Sequence, residues 1–195
     1  MILIHPRRLL RKLILWYEAF VFRVQCRIHH VRCVIGKNTH IHHCSVKSKR
    51  DGTIVIGTDC TLNGVLFGFY GSGGRIEISD NVLINAYRNR FVSLFVNDQS
   101  MIKIGSRCLF SNSIDISTTD WHRVFDENGN HLNPDKNVRI GDRVWIGRKV
   151  IICKGVSIPD NSVIGVGSVV TKSFNESNVI IAGNPAVVKK QGIHW

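Results

Sequence analysis

The stretch Ile140-Gly141-Asp142-Arg143-Val144-Trp145-Ile146-Gly147 continues into Ile152-Cys153, Ile158-Pro159, Ile164-Gly165 and Val170-Thr171. An aliphatic residue therefore recurs at every sixth position. Four residues after the first five of these lie Val144, Val150, Val156, Ser162 and Ser168. An α-helix would repeat every 3.6 residues, and a lone strand alternates with a period of two over a short run. A strict period of six fits short flat strands joined by corners, each strand sending one aliphatic side chain inward. Fainter copies stand upstream at Ile35-Gly36 with Ile41, Ile56-Gly57 with Leu62, Ile78 with Ile84, and Ile104-Gly105 with Phe110 and Ile116. The spacings predict coils of about 18 residues, as in other stacked repeats. Insertions are expected near residues 47–53, 66–75 and 86–100. Glycine after the lead residue suits a corner, where a side chain would crowd the turn.

The 195 residues are enough for one domain with a real core, and 44% of them are hydrophobic and 21% charged, which argues against disorder. Charge is unevenly placed. Residues 1–50 hold eleven Lys and Arg against a single acid, Glu18, and supply most of the formal net charge of +12. Such a block points to an anionic neighbour, a membrane surface or a charged substrate. Aromatic residues do not interleave with the basic ones and no nucleic-acid motif accompanies them, so no nucleic-acid partner is expected.

Residues 6–24 read as an amphipathic helix. Leu9, Leu10, Leu13, Ile14, Tyr17, Phe20, Val21 and Val24 follow helical spacing, and Arg8, Arg11, Lys12 and Glu18 fall away from that stripe. The helix is expected to pack over the open first coil as a cap, or to lie on an anionic membrane with Trp16 at the interface. Arg11, Lys12, Glu18 and Arg23 interrupt its apolar run, so it is not expected to span a membrane, and it makes a poor signal peptide. The six cysteines form no C-x-x-C pair, and most of them read as reduced core thiols of a cytoplasmic protein, Cys60 and Cys108 at small buried positions.

Three segments add a family signal: Thr118-Thr119-Asp120-Trp121-His122, the Ile140–Gly147 stretch, and Ile180-Ile181-Ala182-Gly183-Asn184-Pro185-Ala186. In this order and spacing they resemble the hexapeptide-repeat acetyltransferases, in the galactoside, maltose and xenobiotic branch that includes O-acetyltransferases of bacterial surface polysaccharides. The resemblance implies an all-β, left-handed parallel β-helix. The handedness comes from the resemblance alone, since parallel crossovers are otherwise right-handed in about 98% of cases. The expected division is an amphipathic helix and cap at 1–29, a β-helix at 30–190 with a protruding loop at 123–137, and a tail at 191–195.

The resemblance further implies a homotrimer that moves acetyl from acetyl-CoA to a hydroxyl of a sugar or glycan, in polysaccharide or lipopolysaccharide assembly. N-acetylation of an amino sugar or xenobiotic, and a non-catalytic scaffold, are the alternatives. His122 is the candidate general base, because imidazole is available in its neutral form near neutral pH. Asp120, Trp121 and Ser93 are the candidate acceptor residues, with orienting the base or capping a turn the alternative roles of Asp120. Small-sugar members carry asparagine where Ser93 stands, which implies a different acceptor here. For CoA, the matching positions are Arg148, Val166, Thr171, Lys172 and Lys190, and Trp145, in phase with outward positions, is expected at a subunit interface or as a wall of the acyl pocket. The family's Lys or Arg two residues after Pro185 is replaced by Val187. Cys153 could take the acetyl group first, but direct transfer is favoured.

No metal is expected. Thr39-His40-Ile41-His42-His43 has the look of a ligand cluster, yet Ile41 holds a lead position and so points His40 and His42 outward. Hexapeptide-repeat carbonic anhydrases take their zinc ligands from neighbouring coils, and His122 has no partners at such spacing.

Overall fold

The computed structural model describes residues 6–86 and 91–195, with residues 6–9, 11 and 12 described by backbone alone. Three sheets, parallel except for the closing antiparallel pair Val179–Gly183 and Ala186–Gln191, stack into a left-handed β-helix of about six turns, preceded by one helix. The periodicity maps directly onto them. In the first sheet Ile35, Ile56, Ile78, Ile104, Ile140 and Ile158 align in one inward column. In the second, Ile41, Leu62, Ile84, Phe110, Ile146, Ile164 and Ile181 do the same. Val46, Phe67, Leu94, Ile116, Ile152 and Val170 form the column of the third. Nearly all are fully buried, so the core is one continuous stack of aliphatic and aromatic layers.

Coil length varies. Arg139 pairs with Ser157 and Ile151 with Val169, giving 18 residues per coil at the C-terminal end. Upstream, the first and third sheets have five-residue strands such as Gly52–Ile56, Val65–Phe69 and Gly74–Ile78. The segments expected as insertions at 47–53 and 66–75 are thus mostly lengthened strand. Each added pair of residues sends one more side chain inward (Ile54, Phe69 and Ile76 among them), which widens the coil without making a loop. Of the third segment, 86–100, residues 87–90 lie outside the described residues, and Val92–Val96 is again strand.

The helix α1 runs Pro6–Ile28, four residues longer than the sequence pattern suggested. It ends where His30 turns to φ 54°, a left-handed stop. α1 contacts the strands of the first coil, and it does so with the face opposite its larger apolar stripe. Phe22 and Cys26 are buried there, and Phe22 packs 5.5 Å from Phe67 inside the coil mouth. Gln25 Oε1 accepts the N–H of Val46 at 3.0 Å, ending the ladder of the exposed edge strand. Glu18 pairs with His42 Nδ1 at 2.5 Å and His43 Nδ1 at 3.4 Å. The stripe Leu10, Leu13, Ile14, Tyr17, Phe20 and Val24 faces solvent instead, because only the opposite face offers the acid and amide that the coil end needs. Leu9, Arg8, Arg11 and Lys12 lie outside the described side chains. Among the described residues no helix is long and apolar enough to cross a membrane.

Candidate active site

The strand Ile114–Ser117 of the third sheet delivers the chain to a corner at Thr118 and Thr119, both buried. Thr118 Oγ1 meets Ser100 Oγ at 2.6 Å, and Ser117 Oγ donates to the Thr119 carbonyl at 2.8 Å. This hydroxyl mesh fixes the base of the segment Asp120-Trp121-His122. Trp121 itself sits at φ 70°, a sterically costly setting for a bulky residue that the corner imposes. Its ring is 49% exposed and rests edge-on against Tyr70 at 4.8 Å and Phe95 at 5.1 Å.

His122 follows, exposed, with its backbone held from two sides. Its N–H donates to the Asp120 carbonyl at 2.9 Å, and its carbonyl accepts from Asn133 Nδ2 at 2.9 Å. The imidazole takes part in no hydrogen bond among the described residues, which leaves both ring nitrogens for a ligand or a neighbouring chain. It borders a cavity of about 360 Å³ with Asn97, Asp98, Trp121, Arg123 and His131 on its walls. A second cavity of about 360 Å³, on the other side of Trp121, is lined by Phe95, Asp115, Asp120, Ile151, Cys153 and Lys154.

Asp120 does not orient the imidazole. Its Oδ2 is taken by Lys154 Nζ at 2.5 Å and by Asn133 Nδ2 at 3.0 Å. The Lys154 ammonium holds the carboxyl below the usual carboxylate range, and the Asn133 amide adds to this. Lys154, only 14% exposed, also donates to the Asn133 carbonyl at 2.7 Å. The Lys154–Asp120–Asn133 triangle therefore ties the far end of the loop 123–137 to the His122 corner. Sequence reasoning missed both partners. Asn133 lies inside the loop 123–137 next to Pro134, where a turn residue is unremarkable, and Lys154 carries no motif signal at a repeat corner.

The triangle yields a pH-dependent expectation. A carboxyl whose folded pKa is depressed stabilises the fold above the unfolded value of about 3.9, and that stabilisation is lost as pH falls through the depressed pKa. Lys154→Met should cost about 1–2 kcal/mol at neutral pH, less than a fully buried pair because Asp120 is half in water. The deficit should shrink toward zero on acidification below about pH 4. Thermal melts of both proteins across that range check it; a deficit independent of pH would assign the loss to packing of the lysine stem.

Cys153 lies in the second cavity, with its thiol pKa raised by burial first and by the charge of Asp120 second. Both effects disfavour the thiolate that a covalent route would need. All six cysteines are free; burial pushes Cys44 and Cys108 up to about 12 and Cys60 upward as well. Among the described residues no group of three or more His, Cys, Asp or Glu converges as a metal site.

The remaining candidates are distributed. Ser93 stands beside Asp115 in the third sheet but lines neither cavity. Arg148 and the 67%-exposed Val166 are stacked on successive coils at the corner between the second and third sheets, where the Gly167 N–H donates to the Arg148 carbonyl. Thr171 and Lys172 follow the last strand of the third sheet, on the same edge as His122. Lys172 shares a cavity of about 300 Å³ with Phe174, Val187 and Val188. Trp145 and Lys190 lie in one register row of the second sheet, through Val163 and Ile180. Trp145 is 39% exposed and is partly covered by Trp195, 6.1 Å away, a C-terminal contact that the repeat pattern could not reveal.

No family model matches the chain. It is 33% identical to the galactoside O-acetyltransferase of Escherichia coli (strain K12) over 156 residues, 76% of this chain and 71% of the relative. It is 30% identical over 185 residues to the E. coli (strain K12) protein WbbJ, provisionally named a lipopolysaccharide biosynthesis O-acetyl transferase, covering 89% and 83% of the two chains. Among solved structures, the polysialic acid O-acetyltransferase OatWY superposes with a TM-score of 0.63 at 28% identity, over 85% of this chain and 87% of that one. With the six-residue period realised as stacked coils and the Asp120-Trp121-His122 corner in place, the chain belongs to the hexapeptide-repeat acetyltransferases, enzymes that use acetyl-CoA.

Proposed function

We propose that the protein transfers acetyl from acetyl-CoA directly to a sugar hydroxyl of a surface polysaccharide or lipopolysaccharide, with His122 as general base. The observation that carries this is the exposed imidazole beside Trp121 at the mouth of a polar cavity. The neutral imidazole removes the hydroxyl proton as the oxygen attacks the thioester carbonyl. Collapse of the tetrahedral adduct expels the CoA thiolate, which recovers the proton from the imidazolium. Trp121 offers an apolar face to the sugar, while Asp120 and Ser93 are the polar candidates around it. Asp120 keeps lone pairs for a hydroxyl beyond those given to Lys154 and Asn133.

Trp145, Arg148, Val166, Thr171, Lys172 and Lys190 are assigned to CoA in the same reading, Lys172 and Lys190 as point charges toward phosphates. Arg148 and Val166 stand at the opposite edge of the third sheet from His122. That separation favours a homotrimer whose sites lie between chains, one chain's His122 facing its neighbour's Arg148 corner. Residues 1–29 then act as a cap, 30–190 as the catalytic β-helix, and residues 6–24 make peripheral contact with an anionic membrane.

CoA release from acetyl-CoA, measured against a panel of monosaccharides, oligosaccharides and lipid-linked glycans, tests the activity. Acceptor-dependent release is expected with at least one extended glycan. Absence of acetyl-CoA binding by calorimetry would sink the reading. Light scattering should give a trimer, and an active monomer would overturn the shared site.

A further inference from the structure

Among the described residues, the outward face of α1 has no partner within the chain. Leu10, Leu13, Tyr17, Phe20 and Ile28, most of them spaced three or four residues apart, are each more than half exposed, and Trp16 stacks on Phe20 at 5.7 Å. The helix meets the strands of the first coil through its opposite face. An apolar stripe of this length on a water-exposed surface is costly unless something covers it.

Charge narrows what covers it. The helix sequence carries Arg7, Arg8, Arg11, Lys12, Arg23 and Arg27 against the single acid Glu18. Glu18 is consumed on the inner face by His42 and His43, so it neutralises nothing outside. Arg23 and Arg27 are exposed beside the stripe. A second copy of this chain meeting the same face would bring two cationic helices together. A bilayer with anionic headgroups supplies both an apolar phase for the stripe and counter-charge for its flanks.

We infer that the outward face of α1 is a docking surface for an anionic lipid bilayer, with the helix lying in the interface while its other face seals the β-helix. This deepens the membrane contact in the proposed function and rests on it, but does not depend on the acetyl-transfer chemistry. The docked orientation follows from the fold. α1 covers the first coil, so the coils stack away from the membrane. The strand Met101–Ile104, in the coil that leads to His122, is the fourth in its sheet, three spacings or about 14 Å beyond the first strand. An acceptor glycan reaching the site would project outward from the lipid that carries it.

The full-length protein is tested by co-sedimentation with vesicles of phosphatidylcholine alone and of phosphatidylcholine mixed with phosphatidylglycerol. Binding is expected to the mixed vesicles, weakening as salt rises. The double variant Tyr17→Ser/Phe20→Ser should lose at least about tenfold in partitioning, because two aromatic side chains no longer enter the apolar phase. Its melting temperature and its activity on a water-soluble acceptor should match wild type, since both side chains are more than half exposed on the outward face of α1. Those two controls separate a failure of docking from a failure of the enzyme reading. Wild type that ignores both vesicles, or a variant that binds as wild type does, overturns the inference. A variant whose oligomeric state falls by light scattering also overturns it, and assigns the stripe to contacts between copies.

Discussion

His122→Ala is expected to lower acceptor-dependent CoA release by at least about 100-fold, the range a missing general base produces. The substitution isolates chemistry from folding unusually well. His122 is exposed, its backbone is fixed by the Asp120 carbonyl and the Asn133 amide, and its imidazole bonds to nothing among the described residues. Removing the ring should therefore leave the melting temperature and acetyl-CoA affinity unchanged while the rate collapses. His122→Gln keeps a hydrogen-bonding side chain but cannot accept a proton, so it should be as slow as the alanine variant. Wild-type rates in both would remove His122 from the mechanism. Loss in the alanine variant alone, with glutamine restoring the rate, would make it an acceptor-binding group instead.

The same corner explains why some of the site could be read from the sequence and some could not. His122, Asp120 and Trp121 are contiguous, so the motif shows them together. Lys154 and Asn133 reach them only because the coil that follows the long loop returns one layer below the Asp120 corner. That proximity depends on the number of residues in the excursion, which six-residue periodicity does not encode. The core was legible for the opposite reason: each inward position repeats in phase, and register in a parallel stack is set by that phase. The helix was half legible. Its spacing marks the element and its apolar stripe, but not which face meets the coil. Leu13, Tyr17 and Phe20 form the stronger apolar stripe, yet the coil end selects Phe22 for its open mouth, Gln25 for a free backbone N–H and Glu18 for two histidines. Polar demand at an unpaired strand edge outweighed the pull of the larger apolar stripe there.

Gly105→Ala is expected to damage the fold severely for so small a change. The glycine that follows a lead aliphatic residue relieves crowding, and that crowding comes from the next coil. A methyl group on Gly105 would lie 2.4 Å from Asp142 Oδ1 and 2.5 Å from the Gly141 carbonyl carbon. Gly36 stands in the same relation to Gly57, and Gly57 to Asp80. The aspartates are part of the device. Asp142 Oδ1 accepts the Ser106 N–H at 2.7 Å, and Asp80 Oδ1 accepts that of Thr58 at 2.7 Å. Asp160 Oδ1 accepts that of Asp142 at 2.8 Å. Each carboxylate thus bonds the corner of the coil before it, and the missing side chain lets it approach. Alanine at Gly105 must either push two coils apart, breaking the Ser106 bond, or displace backbone that neighbouring coils hold in register. The cost should be about 3 kcal/mol, the upper end of ordinary overpacking. Gly167→Ala is the control: its φ is 70° but nothing lies within 4 Å, so only backbone strain of about 1–2 kcal/mol applies. Denaturant midpoints at fixed protein concentration should rank wild type above the control and the control above Gly105→Ala. The reverse order would mean that the coils can separate at that corner without loss, and that the glycine column serves the conformation of its own turn after all.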